Sequence, residues 1–369
     1  MQNNNKCAYA QGRNKLKKIR TIVWCLLLAV STQFLPVTAS AGSVVHVTGV
    51  FNAAIDRPAI QAAIDSAPGK KAKVELHGLF QLDGTTIVIE RSNLTLQGAS
   101  EGALLVGVLD EFGRPDGGTN GMCNLSNRGI EIRGPQPIEN IVIKGLALFG
   151  HCRAVSVIGT SALTPPGDAA VGNVVVMDNH IQNNLRGLQS FGAATDIVFK
   201  DNLIIDAHSI GILVQGDPGG ALSGAIIKNN VSATSGVLLD ALPIQIGGPN
   251  SDVLIRENTF QGGIAAVGLF GSATNVVVSE NWILDGGTQG FTGFTLGGVL
   301  VGFTGDTADG YVIENNVYQN NVASEPLFSL NLVARDVWLW DTSSNNEVTE
   351  KQGTVVLDDG VNNTVTLIP

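Results

Sequence analysis

Two histidines and two arginines occupy matching positions in three successive repeats of the sequence. When the repeats are aligned on the small residues Ala154, Gly187 and Gly211, the two histidines fall in one column with Asn184 between them, and the arginines lie next to each other two positions further along. Equivalent residues on adjacent strands lie about 5 Å apart, so these side chains and a nearby aspartate would form one cluster. The candidate catalytic residues are His151, Arg153, Arg186, His208 and Asp206.

The side chains of this cluster have the chemistry of a β-elimination site. An imidazole takes or gives a proton near neutral pH, and a guanidinium neutralises a sugar carboxylate through a bidentate contact. Removing the proton next to the carboxylate of a uronic acid needs both groups, and we expect Arg186 or His208 to contribute most. The alternative interpretation is that all of these residues are exposed polar side chains on the turns of a repeat protein.

A second column consists of acidic residues that lie next to basic ones. Carboxylates stacked at one strand spacing are suited to calcium, which prefers several oxygen ligands. However, Lys200, Lys228 and Arg256 flank the column, so a surface ladder that neutralises its own charge is the favoured interpretation. The candidate metal ligands are Asp178, Asp201, Glu257 and Glu280, with Asn229 in the same column.

The elements that carry both columns are short strands repeated at nearly constant spacing. The segment Val174–Ile181 is followed 23 residues later by the similar segment Ile197–Ile204. Apolar and polar residues alternate with period two within each copy, which is typical of strands that bury one face. Because one such strand cannot bury its apolar side alone, a period of this size predicts a solenoid of stacked coils.

Several copies of the strand are followed by an asparagine at the next turn. These asparagines are Asn179, Asn202, Asn230, Asn258, Asn281 and Asn316. The copies closely resemble those of the pectate-lyase-like superfamily, and the resemblance covers nearly all of the chain after residue 41. It implies an all-β fold, a single-stranded right-handed parallel β-helix of roughly nine to eleven coils, in which the asparagines form an internal ladder of hydrogen-bonded amides.

The catalytic signatures of the best-known members of that superfamily are incomplete in this sequence. A galacturonase-like hydrolase should show Asn-x-Asp, Asp-Asp, Gly-His-Gly and Arg-x-Lys in order, and only Asn250-Ser251-Asp252 and Asp358-Asp359 match fragments. The Trp-Ile-Asp-His stretch of pectate lyases is missing as well. Since β-helices serve both as enzymes and as passive scaffolds, the resemblance implies the fold without fixing a reaction.

The first 41 residues have the features of a signal peptide. Six basic residues lead into the apolar stretch Ile22–Val30, and Ala39-Ser40-Ala41 is a small-residue cleavage site before Gly42. No later segment of the sequence approaches the run of about twenty apolar residues that a membrane helix needs. We therefore expect an exported protein, periplasmic or extracellular, with a β-helix domain over residues 42–369.

A short capping helix is expected at the start of this domain. Asp56 and Pro58 mark its beginning, and the apolar residues between Ile60 and Ala67 share one face. Such a helix would cover the open end of the solenoid, which otherwise exposes an unpaired strand.

The two cysteines that follow the leader, Cys123 and Cys152, are about one coil apart in the sequence. In an oxidising compartment we expect them to form a disulfide bond. Two buried thiols are the alternative.

The charge of the chain limits its partners. Removing the six basic residues of the leader from the total of 22 leaves 16 basic against 32 acidic residues, a net charge of −16. Such a charge disfavours nucleic acid and anionic membranes, which reward clustered Lys and Arg. The resemblance to the pectate-lyase-like superfamily, together with the histidine and arginine cluster, implies a polysaccharide or a cell-surface glycan as the partner. The protein would be either carbohydrate-active, with lyase chemistry as the enzymatic version, or a non-catalytic surface or periplasmic binding scaffold.

Overall fold

The computed structural model describes residues 44–82, 86–115, 127–161, 168–217, 220–234, 241–288, 295–303, 307–324 and 331–369. The expected signal peptide and Cys123 lie outside the described residues. No helix in the described ranges combines the length and the apolar character that crossing a membrane requires.

Short strands make up most of the described chain, and one helix, α1 (Ala53–Ser66), lies between the first two of them. The first strands are β1 (Val44–Thr48), β2 (Ala72–Gln81), β3 (Ile87–Ile89), β4 (Leu94–Val106), β5 (Arg128–Ile132), β6 (Ile138–Lys144), β7 (Ala147–Phe149) and β8 (Arg153–Ile158). The middle of the chain contains β9 (Val171–Met177), β10 (His180–Gln182), β11 (Arg186–Phe191), β12 (Ala194–Lys200), β13 (Leu203–Ala207), β14 (Ile210–Gln215), β15 (Leu222–Ser223), β16 (Ile226–Lys228), β17 (Val231–Thr234), β18 (Leu242–Gly247), β19 (Asn250–Arg256), β20 (Thr259–Gln261) and β21 (Ala265–Leu269). The last strands are β22 (Gly271–Ser279), β23 (Trp282–Leu284), β24 (Gly297–Val301), β25 (Ala308–Glu314), β26 (Val317–Gln319), β27 (Val322–Ser324), β28 (Leu332–Ala334), β29 (Val337–Leu339), β30 (Ser343–Ser344), β31 (Glu347–Lys351), β32 (Val356–Asp358) and β33 (Thr364–Ile368).

One coil of the structure consists of three strands separated by turns, as β9, β10 and β11 illustrate. Strand β9 pairs in parallel with β12, β10 with β13, and β11 with β14, so each strand lies beside its counterpart in the next coil. The third strand of each coil belongs to a ten-stranded sheet. Its order is β3-β5-β8-β11-β14-β18-β21-β24-β29-β32. The first and second strands of the coils belong to a 21-stranded sheet. The fold is therefore the right-handed parallel β-helix, and the ten-stranded sheet agrees with the expected number of coils.

The inward-facing side chains of successive coils stack into one apolar core. In the ten-stranded sheet, Val155, Leu188 and Ile212 are register partners, and all three are fully buried. Each such side chain contributes roughly 1.5–3 kcal/mol by leaving water. Because every coil supplies equivalent residues, the core is continuous along the solenoid.

The asparagine ladder lies at the turn between the first and second strands of each coil. The side-chain amide of each member donates a hydrogen bond to the Oδ1 of the next, over 2.9–3.0 Å, along the series Asn179, Asn202, Asn230, Asn258, Asn281 and Asn316. The series ends at the buried Glu350, whose Oε1 accepts from Asn316 Nδ2 at 2.8 Å. Burial raises the pKa of this carboxyl group, while its hydrogen bonds to Asn316 and Tyr318 oppose the change. The ladder expected from the sequence is therefore present and satisfies amide groups that water cannot reach.

The capping helix begins at Ala53, three residues before the start expected from the sequence, because Asn52 rather than Asp56 is its N-cap. Asp56 is buried, and its carboxylate accepts hydrogen bonds from the backbone N–H groups of Val50, Asn52 and Gln81, each at 2.9 Å. This carboxylate thus ties the first turn of the helix to β2. The apolar face identified in the sequence is buried against the first coils, as a cap requires.

Cys152 lies fully buried at the turn before β8 and is disulfide-bonded. Its expected partner, Cys123, lies outside the described residues.

Candidate functional site

The strand pairing in the structure has the same register as the alignment of repeats from which the candidate cluster was predicted. Leu188 on β11 pairs with Val155 on β8 and with Ile212 on β14, so Ala154, Gly187 and Gly211 are equivalent. The side chains at this register nevertheless point in different directions. They fall into three groups: His151 in the core, Arg153 and Arg186 on the ten-stranded sheet, and Asp206 and His208 at a turn.

His151 is fully buried and belongs to the interior of the solenoid. Its Nε2 donates a hydrogen bond to the carbonyl oxygen of Leu105 at 3.1 Å, and its Nδ1 is buried without a partner among the described residues. Burial lowers the pKa of the imidazole to about 4, so His151 is neutral at pH 7. A substrate on the outside of the coil has no route to this ring, so His151 is not part of the candidate site.

His208 and Asp206 lie together at the turn that leads from β13 to β14. The His208 Nε2 is 2.7 Å from Asn183 Oδ1, and Asp206 is exposed with a left-handed backbone, φ 57°. Partial burial lowers the pKa of His208, and the charges that act on it come from Asp206, Arg114 and Asp110. The charges that act on His208 thus come from its own turn and from the segment that carries Asp110 and Arg114.

The candidate arginines are part of a longer row on the ten-stranded sheet. Arg153 pairs in register with Arg186 on one side and with Arg128, the first residue of β5, on the other. We call Arg128, Arg153 and Arg186 the arginine row. All three side chains are partly buried. Adjacent strands are about 4.8 Å apart, so three guanidinium groups follow one another along the solenoid axis.

A row of polar side chains runs beside the arginine row on the same three strands. It consists of Glu131, Ser156 and Gln189, which are register partners and lie almost completely out of contact with water. Ser156 Oγ and Gln189 Oε1 are buried and have no hydrogen-bond partner among the described residues. Buried polar atoms are rarely left unpaired in proteins, so these two atoms point to a bound polar group.

The single carboxylate in these two rows is already engaged. Glu131 forms ion pairs with Arg128 and with the Nε of Arg133, the latter at 3.0 Å. In contrast, no hydrogen bond or ion pair joins the Arg153 guanidinium to another described residue, and its Nε is buried. Within the described part of the chain, Arg153 therefore lies between two like charges and contacts no carboxylate.

Electrostatics identify an anion as the group that would complete this arrangement. Two guanidinium groups about 5 Å apart repel each other by roughly 3 kcal/mol at an effective dielectric constant of about 20. Burial, followed by the charges of Arg128 and Arg186, lowers the pKa of Arg153 to about 10, with Glu131 opposing the change. Arg153 remains charged at neutral pH, so the arginine row is prepared for a ligand that carries negative charge.

Sequence reasoning found two of the arginines and missed the rest of this surface. The missing residues belong to a short pattern that recurs in three coils: Arg128-Gly129-Ile130-Glu131, Arg153-Ala154-Val155-Ser156 and Arg186-Gly187-Leu188-Gln189. Each copy reads arginine, small, apolar and polar, and each supplies one residue to both rows. In the next coil Ile210 and Leu213 replace the arginine and the polar residue, so the polar surface ends there.

The charged column proposed as a metal site lies on the outside of the turn beside the asparagine ladder. Asp178, Asp201, Glu257 and Glu280 all have left-handed backbone conformations, with φ between 55° and 57°. Basic neighbours engage three of these carboxylates: Lys200 Nζ lies 3.8 Å from Asp201, Lys228 Nζ lies 3.3 Å from Glu257, and Arg256 contacts both Glu257 and Glu280. These ion pairs are the arrangement expected of a ladder that neutralises its own charge.

Glu257 offers a direct test of that arrangement. Its hydrogen bond to Arg256 lowers the pKa of the carboxyl group, but the side chain lies at the surface, where solvent screens charges strongly. We expect Glu257→Gln to shift the melting temperature by less than about 2 °C, and added calcium to change the melting temperatures of both proteins equally. A calcium-dependent stabilisation that the substitution abolishes would show instead that the column binds calcium.

No protein-family profile and no curated protein matches the sequence. Among solved structures, the chain is similar to an alginate lyase from Paenibacillus sp. strain FPU-7, with a TM-score of 0.54 and 12% identity over 87% of this chain and 99% of that one. It is also similar to ORF18 of Geobacillus virus E2, with a TM-score of 0.58 and 16% identity over 99% of this chain, which spans only 64% of that one. A DFA-IIIase from Arthrobacter chlorophenolicus A6 has a TM-score of 0.51 at 11% identity, over 90% of this chain and 97% of that one. These likenesses show the β-helix fold.

Proposed function

We propose that this β-helix protein binds an anionic polysaccharide, whose negative groups lie against the arginine row. The observation that carries the proposal is Arg153, which is flanked by Arg128 and Arg186 and whose buried Nε has no partner among the described residues. A carboxylate or sulfate of a sugar would neutralise this charge through paired N–H donors. A polymer suits the row better than a small anion, because it presents successive charges along the axis on which the arginines repeat.

The charge of the rest of the chain supports the same partner. The chain carries 32 acidic residues, so a polyanion is repelled from most of its surface. A local group of three arginines reverses that field at one place and restricts binding to it. The three arginines are partly exposed, so a polymer on the outside of the coil can contact their guanidinium groups.

Two further observations agree with a polysaccharide ligand. One solved chain of the same fold is an alginate lyase, and alginate is a polymer of uronic acids. The leader pattern of residues 1–41 supports export to the periplasm or the cell exterior, where such polymers are met.

The proposal is binding rather than β-elimination. A lyase needs a base next to the carbon whose neighbouring carboxylate is neutralised. His151 lies in the core, and the charges that act on His208 are those of Asp206, Arg114 and Asp110. A binding scaffold requires only the arginine row, whose side chains are partly exposed.

The decisive experiment compares two arginine substitutions that remove the same charge. We expect Arg153→Met to weaken binding of polygalacturonate or alginate at least tenfold, because a charge-assisted contact to a carboxylate contributes about 1.5–3 kcal/mol. Its melting temperature should stay equal or rise, since the substitution relieves repulsion within the row. Titration calorimetry at low ionic strength measures the binding, and neutral pullulan serves as the uncharged polymer.

Arg256→Met is the matched control, because Arg256 belongs to the charged column on the other sheet. Its affinity for both polyuronates should remain within about twofold of the unchanged protein. Equal affinities of the Arg153→Met and Arg256→Met proteins, or no binding of any polyuronate by the unchanged protein, would refute the proposal. Absorbance of an unsaturated product during the same titrations would reinstate lyase chemistry.

A further inference from the structure

Two histidines and a glutamate meet on the outer surface of the first coils. His46 on β1 pairs in register with Glu75 on β2, and His77 follows Glu75 by two residues on the same face of that strand. The three side chains are partly exposed, by 37% for His46, 17% for Glu75 and 25% for His77. We call His46, Glu75 and His77 the histidine–glutamate cluster.

The three facing atoms of this cluster form a nearly equilateral triangle. His46 Nδ1 and His77 Nε2 are 3.0 Å apart, and Glu75 Oε1 lies 3.4 Å from the first and 3.3 Å from the second. In a tetrahedral site with metal–ligand distances of about 2.0–2.1 Å, neighbouring ligand atoms are about 3.3–3.4 Å apart. The triangle therefore has the dimensions of one face of a zinc coordination tetrahedron.

Neighbouring residues hold the ligand atoms in this orientation. The second ring nitrogen of His77, Nδ1, contacts the carboxylate of Glu101, which fixes the ring so that Nε2 faces the cluster. Glu75 uses its other oxygen, Oε2, for contacts with Gln97 Nε2 at 2.6 Å and Lys73 Nζ at 3.4 Å, so Oε1 remains directed at the histidines. A carboxylate behind a histidine ligand is the usual outer contact in zinc proteins.

We propose that the histidine–glutamate cluster binds one Zn²⁺ ion, with a water molecule in the fourth position. Two imidazole nitrogens and one carboxylate oxygen are a frequent set of protein ligands for zinc, whereas calcium and magnesium prefer oxygen ligands alone. Because the cluster is partly exposed, the fourth position faces solvent. The net negative charge of the chain favours the cation.

This site is independent of the polysaccharide proposal. The cluster lies on β1 and β2 of the 21-stranded sheet, whereas the arginine row lies on β5, β8 and β11 of the ten-stranded sheet. Substitutions in one group can therefore be tested without removing ligands from the other.

The test is titration of the purified protein, without a histidine tag, with Zn²⁺. We expect saturable binding of one ion per chain. His46→Ala and His77→Ala should each weaken binding at least a hundredfold, and Glu75→Gln at least tenfold. Glu101→Gln should weaken binding about tenfold, as outer contacts of zinc ligands do. Co²⁺ in the same site should give the strong visible absorption of a four-coordinate ion.

His180→Ala is the matched control, because His180 is a partly buried histidine on β10, outside the cluster. It should bind Zn²⁺ as the unchanged protein does, and circular dichroism of each metal-free variant checks its folding. The proposal is overturned if the unchanged protein shows no saturable Zn²⁺ binding. It is also overturned if the folded Glu75→Gln and His77→Ala variants keep its affinity.

Discussion

Asn258→Ala is expected to lower the free energy of unfolding by about 4 kcal/mol, because it interrupts the ladder at a fully buried position. The Oδ1 of Asn258 accepts hydrogen bonds from both the backbone N–H and the side-chain amide of Asn230, at 2.9 and 3.0 Å. Its Nδ2 shares two N–H groups among three acceptors, the carbonyl oxygens of Ile227 and Arg256 and Asn281 Oδ1, each at 2.9 Å. Removing the amide leaves several of these groups unpaired where water cannot replace it, and a urea unfolding curve followed by circular dichroism measures the loss.

Asn275→Gly is the matched control for an asparagine at a turn. Asn275 has a left-handed backbone, φ 56°, and is exposed, and its amide donates a hydrogen bond to Asp252 Oδ1 at 3.0 Å. Glycine tolerates this conformation, so we expect a change below about 1 kcal/mol. If the two variants unfold at the same urea concentration, the ladder does not stabilise the solenoid in the way its hydrogen bonds indicate.

The fold could be read from the sequence because a solenoid repeats its local requirements in every coil. Each coil needs strands with period-two alternation and a residue that hydrogen-bonds to the backbone at the same tight turn. Asn202 and Asn258 therefore occupy equivalent turns and make the same kind of hydrogen bond. The register was predictable for the same reason. A small residue is needed where the chain turns onto the ten-stranded sheet, and Ala154, Gly187 and Gly211 mark that position.

The directions of the candidate side chains could not be read in the same way. Period-two alternation assigns a face only inside a strand, and it is interrupted at the turn before the ten-stranded sheet. Cys152, Ala154 and Val155 are all fully buried there, although two of them are consecutive, and His151 is buried with them. A column of equivalent positions at such a turn therefore does not predict a common direction, which is why His151 and His208 separate.

The residues that sequence reasoning missed are those whose proximity depends on stacking between coils. His46 and Glu75 are 29 positions apart in the sequence and become neighbours only through the pairing of β1 with β2. The spacing of Glu75 and His77 weakly indicates that their side chains are neighbours, because residues two apart on a strand share a face. Arg128 and Glu131 follow the long insertion after β4, so their equivalence to Arg153 and Ser156 appears only once the insertion is removed from the alignment.

His151 should make the protein sensitive to acid in a specific pH range. Its pKa is lowered from 6.5 to about 4 in the folded state by burial, so the unfolded chain binds more protons between these values. The stability is therefore complete above about pH 6.5 and decreases as the pH falls towards 4, by about 3 kcal/mol in total. His151→Gln, which retains an N–H donor for the Leu105 carbonyl oxygen, should lose this component.

The measurement is the change in unfolding free energy between pH 7.5 and pH 4 for each protein, so that any constant difference between the two cancels. Carboxylates whose pKa values are lowered in the folded state, such as Asp110, also lose stability in acid, but they are common to both proteins. The unchanged protein should therefore lose about 3 kcal/mol more than His151→Gln over this interval. Parallel pH dependences would mean that the imidazole of His151 is protonated as easily in the folded chain as in the unfolded one, and hence that it is not enclosed in the core.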